Sequence, residues 1–237
     1  MLGIRGNLIL TSAVCISILG LFIVLALALD PPATYEAYSF RKPLIGSIFS
    51  LICAFGAIAT LFPKQCSRPL HFQKTEEKSS QVCAISEGHH PACKGFSAHV
   101  VHVRDWTLCA ACTGLLLGAF VALFGTALYF FIGWDFEELS VPSVLIGVAA
   151  IALGFFQLGF KGFFRLALNT LFVIGAFLIL AGVDGLIQNF AVDLLLVVFI
   201  VLWLLTRILL SQWDHWRICN RCESQFVVSE PEKKLDY

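Results

Sequence analysis

The stretch CAACTGLLLGAFVALFGTALYFFIG, residues 109–133, decides the fold of this chain. It contains no charged residue, and it begins with two cysteines separated by two other residues. A helix needs about 20 apolar residues to cross the hydrocarbon core of a bilayer, so the stretch predicts a transmembrane helix. Five other windows are long and apolar enough to do the same. They are residues 7–29, 43–62, 141–160, 165–183 and 189–210.

The composition of the whole chain is typical of a polytopic membrane protein. Of its 237 residues, 58% are hydrophobic and 14% are charged, and the mean hydropathy is +0.84. Soluble domains carry roughly a quarter charged residues, so the composition excludes a soluble enzyme domain, a disordered chain and a coiled coil. Sixteen basic residues balance sixteen acidic ones, which leaves no electrostatic case for a nucleic-acid partner. Because backbone in lipid must satisfy its own hydrogen bonds, we expect an all-α membrane protein, a bundle of about six transmembrane helices.

The six windows divide the chain into four parts. We expect a transmembrane hairpin of two helices over residues 1–62 and a Cys/His-rich loop over residues 63–108. Four further transmembrane helices occupy residues 109–210, and a tail that carries a second CxxC motif occupies residues 211–237. The first window is interpreted as an uncleaved span, because its apolar stretch of about 22 residues exceeds the 7–15 of a signal-peptide core.

Two groups of residues carry further structural expectations. The spacing of Gly114 and Gly118 in the third span predicts the close approach of another helix of the same bundle. Four polar residues cluster where the fifth span turns into the sixth, and we expect them to form an outside hairpin rather than an ion pathway. These four are Asp184, Gln188, Asn189 and Asp193.

The distribution of Lys and Arg predicts the orientation of the chain in the cell membrane. Cytoplasmic loops are enriched in these two residues. Fourteen of the sixteen lie on the side of the two termini and the 63–108 loop, and only Arg41 and Lys42 lie on the other side. We therefore expect both termini and the loop in the cytoplasm. Thiols are kept reduced there, so the cysteines on that side favour metal binding over structural disulfides.

Two CxxC pairs are the strongest candidates for a functional site. Cys109 and Cys112 begin the third span, and Cys219 and Cys222 follow the sixth span on the same predicted side. Two intervening residues allow both sulfurs of a pair to reach one ion, and two pairs complete a tetrahedral zinc site. The pairs therefore predict structural zinc that joins the third helix to the tail.

The loop supplies a second set of candidate metal ligands. They are His89, His90, Cys93 and His99. Nitrogen and sulfur ligands favour Zn²⁺ over Mg²⁺ or Ca²⁺. Two arrangements remain open. In the first, the loop residues share one mixed Cys/His site with Cys109 and Cys112, and the second CxxC pair either completes that site or stands apart from it. In the second, the chain holds two separate zinc ions.

Thiol redox chemistry is the rival interpretation of the first pair. Cys109 lies near a helix N-terminus, where exposed N–H groups and the helix dipole stabilise a thiolate. A membrane thiol oxidoreductase that serves secreted proteins would hold its reactive pair on the outer side, whereas this pair is predicted to lie inside.

Residues 87–119, EGHHPACKGFSAHVVHVRDWTLCAACTGLLLGA, resemble the signature of an uncharacterised, archaeal-looking prokaryotic family of small polytopic membrane proteins. That family carries a Cys/His segment that leads into CxxCTGxxxG at the start of a transmembrane helix. The matching core residues are Cys109, Cys112, Thr113, Gly114 and Gly118, and the upstream match is His90 with Cys93. The resemblance implies a small polytopic membrane fold and no particular activity, because the family is one of unknown function.

The sequence favours a membrane scaffold or accessory subunit, in contact with the bilayer and with other membrane subunits. The chain carries no nucleotide-binding loop, HExxH or GxSxG motif, and a closed four-cysteine site has no open position for a substrate. Two alternatives remain open. One is a metal-dependent or thiol-redox membrane enzyme, and the other is a transporter or metal sensor.

Overall fold

In the computed structural model the described residues form a helical bundle and two short β-hairpins. The structure describes residues 4–32, 40–61, 86–87, 90–91, 99–103, 106–134 and 137–229. Of these, residues 4–5, 86–87, 90–91, 102–103, 106–107, 137 and 219–229 are described as backbone only. Its long helices are α1 (Ile4–Leu29), α2 (Arg41–Leu61), α3 (Ala110–Thr126), α4 (Ser140–Phe155), α5 (Gly162–Ile187) and α6 (Phe190–Ser229). A π-helical turn, Ala127–Ile132, continues α3, and a 3₁₀ turn, Phe156–Gly159, continues α4. The strands are β1 (Ser86–Glu87), β2 (His90–Pro91), β3 (Val100–Val103) and β4 (Trp106–Cys109).

Within the described ranges, all six helices are long and apolar enough to cross a membrane. The prediction of an all-α, polytopic membrane protein is confirmed at this level. The last helix ends later than the predicted span 189–210: it continues to Ser229, and its apolar part reaches Ile218. The sequence contains neither Gly nor Pro between residues 190 and 229, the residues that most strongly end a helix.

The outward surface of the helices is apolar, as expected for a surface that faces lipid. Phe22 on α1 and Phe55 on α2 are exposed, and so are Phe124 on α3 and Phe163 on α5. A soluble protein of this size would rarely expose so much contiguous apolar surface. The surface therefore agrees with the predicted class of protein.

Helix α5 lies between α3 and α4 and packs closely against both. A Cβ atom built on Gly118 of α3 would lie 2.7 Å from the carbonyl oxygen of Thr170 on α5. The hydroxyl of Thr170 also donates a hydrogen bond to the carbonyl oxygen of Gly114 at 3.0 Å. On the other side of α5, a Cβ built on Gly147 of α4 would lie 2.7 Å from the carbonyl oxygen of Gly175. The close helix approach predicted from Gly114 and Gly118 is confirmed. This contact fixes the position of the start of α3 along the axis of α5.

Helix α1 packs against the middle of α6 through a small polar contact. The indole Nε1 of Trp203 donates to the carbonyl oxygen of Ser17 at 3.1 Å, and the hydroxyls of Ser17 and Thr206 are 2.8 Å apart. Gly20 provides the space for the rings of Phe199 and Trp203. These polar groups are satisfied within the helix pair, as burial in a membrane requires.

Candidate metal centre

The first CxxC pair lies where a β-hairpin runs into a membrane helix. Strands β3 and β4 are antiparallel, and their register pairs Val100 with Cys109. Cys109 is both the last residue of β4 and the N-cap of α3, with an extended backbone (φ −69°, ψ 117°). Cys112 follows in the first turn of α3, and both cysteines are half-buried. The hairpin thus sets the point at which the pair enters the bundle.

His99 connects the hairpin to two helices. It immediately precedes Val100, the residue that pairs with Cys109. The side chain is buried, with 4% of its surface exposed. Its Nε2 is 3.0 Å from Nη1 of Arg165 on α5 and 3.4 Å from Oδ2 of Asp214 on α6. Its ring centre is 5.3 Å from that of His215.

Arg165 and Asp214 form a buried ion pair next to His99. The guanidinium of Arg165 is 1% exposed and donates to Oδ2 of Asp214 through Nη1 and Nη2 at 3.4 and 3.3 Å. Removing one partner of such a pair leaves an uncompensated buried charge and costs about 3–5 kcal/mol. The pair therefore joins the start of α5 to the later part of α6. We call this end of the bundle, which carries Cys109, Arg165 and Asp214, the cysteine end.

Asn169 extends the polar network one turn deeper into the bundle. Its Oδ1 accepts hydrogen bonds from Nη2 and, at 2.8 Å, from Nε of Arg207, and its Nδ2 donates to the carbonyl oxygen of Arg165 at 2.6 Å. Arg165 begins the predicted span 165–183, and Arg207 lies near the end of the predicted span 189–210. In the structure both lie inside helices with buried side chains. Both remain at the cysteine end.

The second CxxC pair lies on the same helix as Asp214 and His215. Helix α6 runs unbroken from Phe190 to Ser229, so Cys219 and Cys222 follow His215 by four and seven residues. Positions with this spacing share one face of an α-helix. The backbone therefore places the second pair within two turns of a residue that packs against His99. The side chains of Cys219 and Cys222 lie outside the described part of the structure.

The remaining loop candidates fall mostly outside the described residues. His89 and Cys93 lie outside them, and His90 is described through its backbone, opposite Glu87 in the β1–β2 hairpin. In the described ranges, no group of three or more His, Cys, Asp or Glu side chains is arranged to hold a metal ion. The full ligand set therefore stays a prediction.

The described donors suit a zinc ion in chemical type. Cys and His are the usual ligands of structural zinc, and two sulfurs around one ion are about 4 Å apart. Cys109 and Cys112 are three residues apart at a helix start, a spacing that lets both sulfurs reach one ion, and His99 precedes the strand partner of Cys109. Zinc, when bound there, would supply a cross-link and no redox chemistry of its own.

A second polar network lies at the opposite end of the bundle. Arg41 on α2 donates hydrogen bonds to the carboxylates of Asp184 on α5 and Asp193 on α6. The hydroxyl of Tyr129, in the π-helical turn after α3, donates to Oδ2 of Asp184 at 2.7 Å. Nζ of Lys42 is 3.9 Å from the same oxygen and 4.7 Å from the centre of the Tyr129 ring. Four helical segments are thereby joined at this end.

The expectation that Asp184 and Asp193 belong to an outside hairpin is wrong. The turn between α5 and α6 consists of Gln188, which is left-handed at φ 50°, and Asn189. Asp184 and Asp193 lie within the helices and are 0% and 1% exposed. A buried carboxylate requires a charged or hydrogen-bonding partner, and Arg41 supplies it for both.

Sequence reasoning missed three members of the cysteine-end network. Arg165, Asp214 and His215 stand near the ends of apolar runs, where charged residues usually face water. One signal was present in the sequence: Arg207 and Asp214 are seven residues apart and share a face of a helix. Polar residues on one face of a membrane helix indicate a polar partner inside the bundle.

Comparison of the chain with protein-family models, with curated proteins and with solved structures finds no match. The resemblance to a family of small polytopic membrane proteins therefore stays a prediction from the motif in residues 87–119.

Proposed function

We propose that the protein is an integral membrane scaffold or accessory subunit whose cytoplasmic end is held together by structural zinc. The observation that carries the proposal is the position of His99. Its neighbour Val100 pairs with Cys109, while its own ring lies against Asp214 and His215 on the helix that carries the second CxxC pair. One buried residue thus links the strand of the first pair to the helix of the second.

This position of His99 favours the mixed site over two separate ions. In the mixed site, Cys109 and Cys112 bind zinc together with His99, and a cysteine of the second pair, Cys219 or Cys222, completes four ligands. The remaining loop residues predicted as ligands are His89, His90 and Cys93. Zinc held in this way would connect the loop, the third helix and the last helix, and its binding free energy would add to that of folding.

The apolar middle of the bundle supports a scaffold rather than a transporter. Residues 171–183 of α5 and 194–205 of α6 are apolar, and they separate the two polar networks by about 20 Å of helix. The indole N–H of Trp203, in the second of these segments, is bound to Ser17. A transport pathway needs polar or ionisable groups along its length, and these two helices provide none between their ends.

The orientation of the bundle is part of the proposal. The six spans among the described residues are an even number, which would put both termini on one side of the membrane, and the excess of Lys and Arg on that side favours the cytoplasm. The cysteine end would then face the reducing compartment, where thiolates remain available to zinc. Other membrane subunits would pack on the apolar outer surface.

The experiment measures zinc content and thermal unfolding of the reduced, detergent-purified protein. We expect about one zinc per chain, and we expect Cys112→Ser and Cys222→Ser to lose the metal and to unfold at a lower temperature, because the assembled site is absent from the unfolded chain. Cys15→Ser is the matched control, since Cys15 is exposed on α1 and is not among the predicted ligands. If both ligand variants keep the metal content and unfolding temperature of the wild type, the structural-zinc proposal is wrong and thiol chemistry becomes the better explanation.

A further inference from the structure

We infer that the cysteine end carries a binding surface for the headgroups of anionic phospholipids, formed by Lys161 in the turn between α4 and α5 and by Arg217 on α6. Two observations carry this inference. The turn exposes phenylalanine side chains, and the two cations lie at one level along the bundle. Neither residue is a predicted zinc ligand, so the surface does not depend on the proposed zinc site.

The turn between α4 and α5 is apolar although it lies at an end of the bundle. Its exposed phenylalanines, with the exposed fraction of each, are Phe156 (71%), Phe160 (43%), Phe163 (70%) and Phe164 (71%). The rings of Phe160 and Phe164 lie 6.5 Å apart, centre to centre. Such a concentration of exposed phenyl rings is unfavourable in water and favourable against the acyl chains of a lipid. We call residues 156–164 the phenylalanine turn.

The length of α4 places the phenylalanine turn at the boundary of the membrane. Helix α4 and the 3₁₀ turn that continues it extend from Ser140 to Gly159, which corresponds to about 32 Å. The hydrocarbon core of a bilayer is about 30 Å thick. Before the other end of α4, the side chain of Glu138 is exposed, and a carboxylate at that position belongs in water. The phenylalanine turn therefore lies on the opposite surface, where acyl chains meet headgroups.

Lys161 is the cation of the phenylalanine turn. Its side chain is exposed, and the sequence contains no acidic residue from position 139 to position 183. The carboxylate of Asp214, at the same end, is already paired with Arg165. A lysine in apolar surroundings extends its ammonium group toward the polar side of the interface. The anion that it meets there is the phosphate of a lipid headgroup.

Arg217 lies at the same level as Lys161. The antiparallel helices α5 and α6 are aligned by the ion pair of Arg165 with Asp214. Lys161 precedes Arg165 by four residues, and Arg217 is three residues beyond the other member of the pair, so both cations lie about 5 Å farther out. The guanidinium carbon of Arg217, which is exposed, is 5.3 Å from the centre of the Trp213 ring, and tryptophan is enriched at membrane interfaces.

Exposed cations beside exposed aromatic rings fit a lipid that has both a negative headgroup and acyl chains. Each Lys or Arg near the surface of an anionic membrane strengthens the attraction by about fivefold. The expected orientation agrees with this occupant, because the cysteine end is predicted to face the cytoplasm and the cytoplasmic leaflet carries the anionic lipids.

The test measures, by native mass spectrometry of the detergent-purified full-length protein, the ratio of bound phosphatidylglycerol to bound phosphatidylcholine with the same acyl chains. The wild type should prefer phosphatidylglycerol by at least about fivefold. The double variant Lys161→Gln/Arg217→Gln should lose this preference, and Lys161→Arg/Arg217→Lys, which keeps both charges, should retain it. Lys42→Gln is the control for the loss of a charge, since Lys42 contacts Asp184 and Tyr129 at the opposite end. It should leave the ratio unchanged.

Glycerol phosphate separates a lipid from a free phosphate, because it carries the anionic group without acyl chains. It should not displace bound phosphatidylglycerol, and displacement would overturn the inference in favour of a site for free phosphate. Equal binding of the two lipids by the wild type would overturn it and leave the phenylalanine turn to another membrane subunit. A preference retained in the double glutamine variant, or lost in Lys42→Gln, would also overturn it. The single variants Lys161→Gln and Arg217→Gln should fall between the wild type and the double variant, and they keep the test decisive if the double variant does not fold.

Discussion

Replacing Gly118 with alanine tests the close packing of α3 against α5, on which the position of Cys109 and Cys112 depends. The new Cβ would lie 2.7 Å from the carbonyl oxygen of Thr170 and 2.9 Å from Cβ of Val173. Ordinary van der Waals contact begins at 3.4 Å, so the oxygen and the new methyl group must separate by about 0.7 Å. The oxygen belongs to the backbone of a helix, and therefore α3 and α5 must move apart.

The size of the effect follows from two opposing contributions. Overpacking a well-packed contact costs about 1–3 kcal/mol. Alanine is favoured over glycine in a helix by about 1 kcal/mol, which offsets part of that cost. Gly56→Ala is the matched control, because a Cβ on Gly56 of α2 has nothing within 4 Å. The propensity gain is common to both variants, so the free energies of unfolding of Gly118→Ala and Gly56→Ala should differ by about 1–3 kcal/mol.

The assay is denaturation of both variants and the wild type in one detergent, by heat or by added SDS. We expect Gly118→Ala to unfold before Gly56→Ala, and we expect Gly56→Ala to be at least as stable as the wild type. Equal stability of the two variants would refute the reasoning, because it would mean that α3 and α5 are not in close contact at Gly118.

Three other predictions address the remaining features. Arg41→Ala leaves two buried carboxylates without their shared partner and should lower the free energy of unfolding by about 3–5 kcal/mol; an unchanged unfolding temperature would contradict the network. Gln157 is 0% exposed, and neither atom of its amide has a hydrogen-bond partner among the described residues, so Gln157→Met should raise that free energy by about 1–3 kcal/mol in the same assay. A loss of stability would show instead that bound water or a solute satisfies the amide. A cysteine that replaces Glu138 in the otherwise unchanged chain should add a reaction with an impermeant reagent outside intact cells that the wild type lacks, and a gain of reaction only after lysis would reverse the orientation.

Apolar length was sufficient to locate the six helices, because crossing a bilayer sets a minimum length that few other structures meet. The spacing of Gly114 and Gly118 was sufficient to predict close packing, because small residues one turn apart leave room for a second backbone. The end of α6 was not predictable in the same way. Polarity after residue 210 indicated where the membrane ends, whereas the helix itself continues until Ser229.

The pairing of residues in the cysteine-end network depends on how α5 and α6 are aligned along their lengths, and no local sequence pattern contains that information. Because the turn at Gln188 and Asn189 is only two residues long, residues at similar distances before and after it lie side by side. Asn169 meets Arg207 on this basis, and Arg165 meets Asp214. The apolar spans were sufficient to place both CxxC pairs on one side of the membrane. Predicting which polar residue of α5 meets which residue of α6 requires knowing, in addition, how long the turn between the two helices is.

The two ion networks together fix the register of α5 against α6. Each helix contributes to both: Arg165 and Asp184 on α5, and Asp214 and Asp193 on α6. Sliding one helix along the other would separate the partners at both ends at once, and each broken buried pair would cost about 3–5 kcal/mol. A zinc site built from an early and a late segment of the chain needs such a constraint, since its ligand atoms must come within about 4 Å of one another. Because α3 is packed against α5 through its glycines and Cys219 lies on α6, the register of α5 and α6 sets the level of the start of α3 relative to the late part of α6 that carries Cys219.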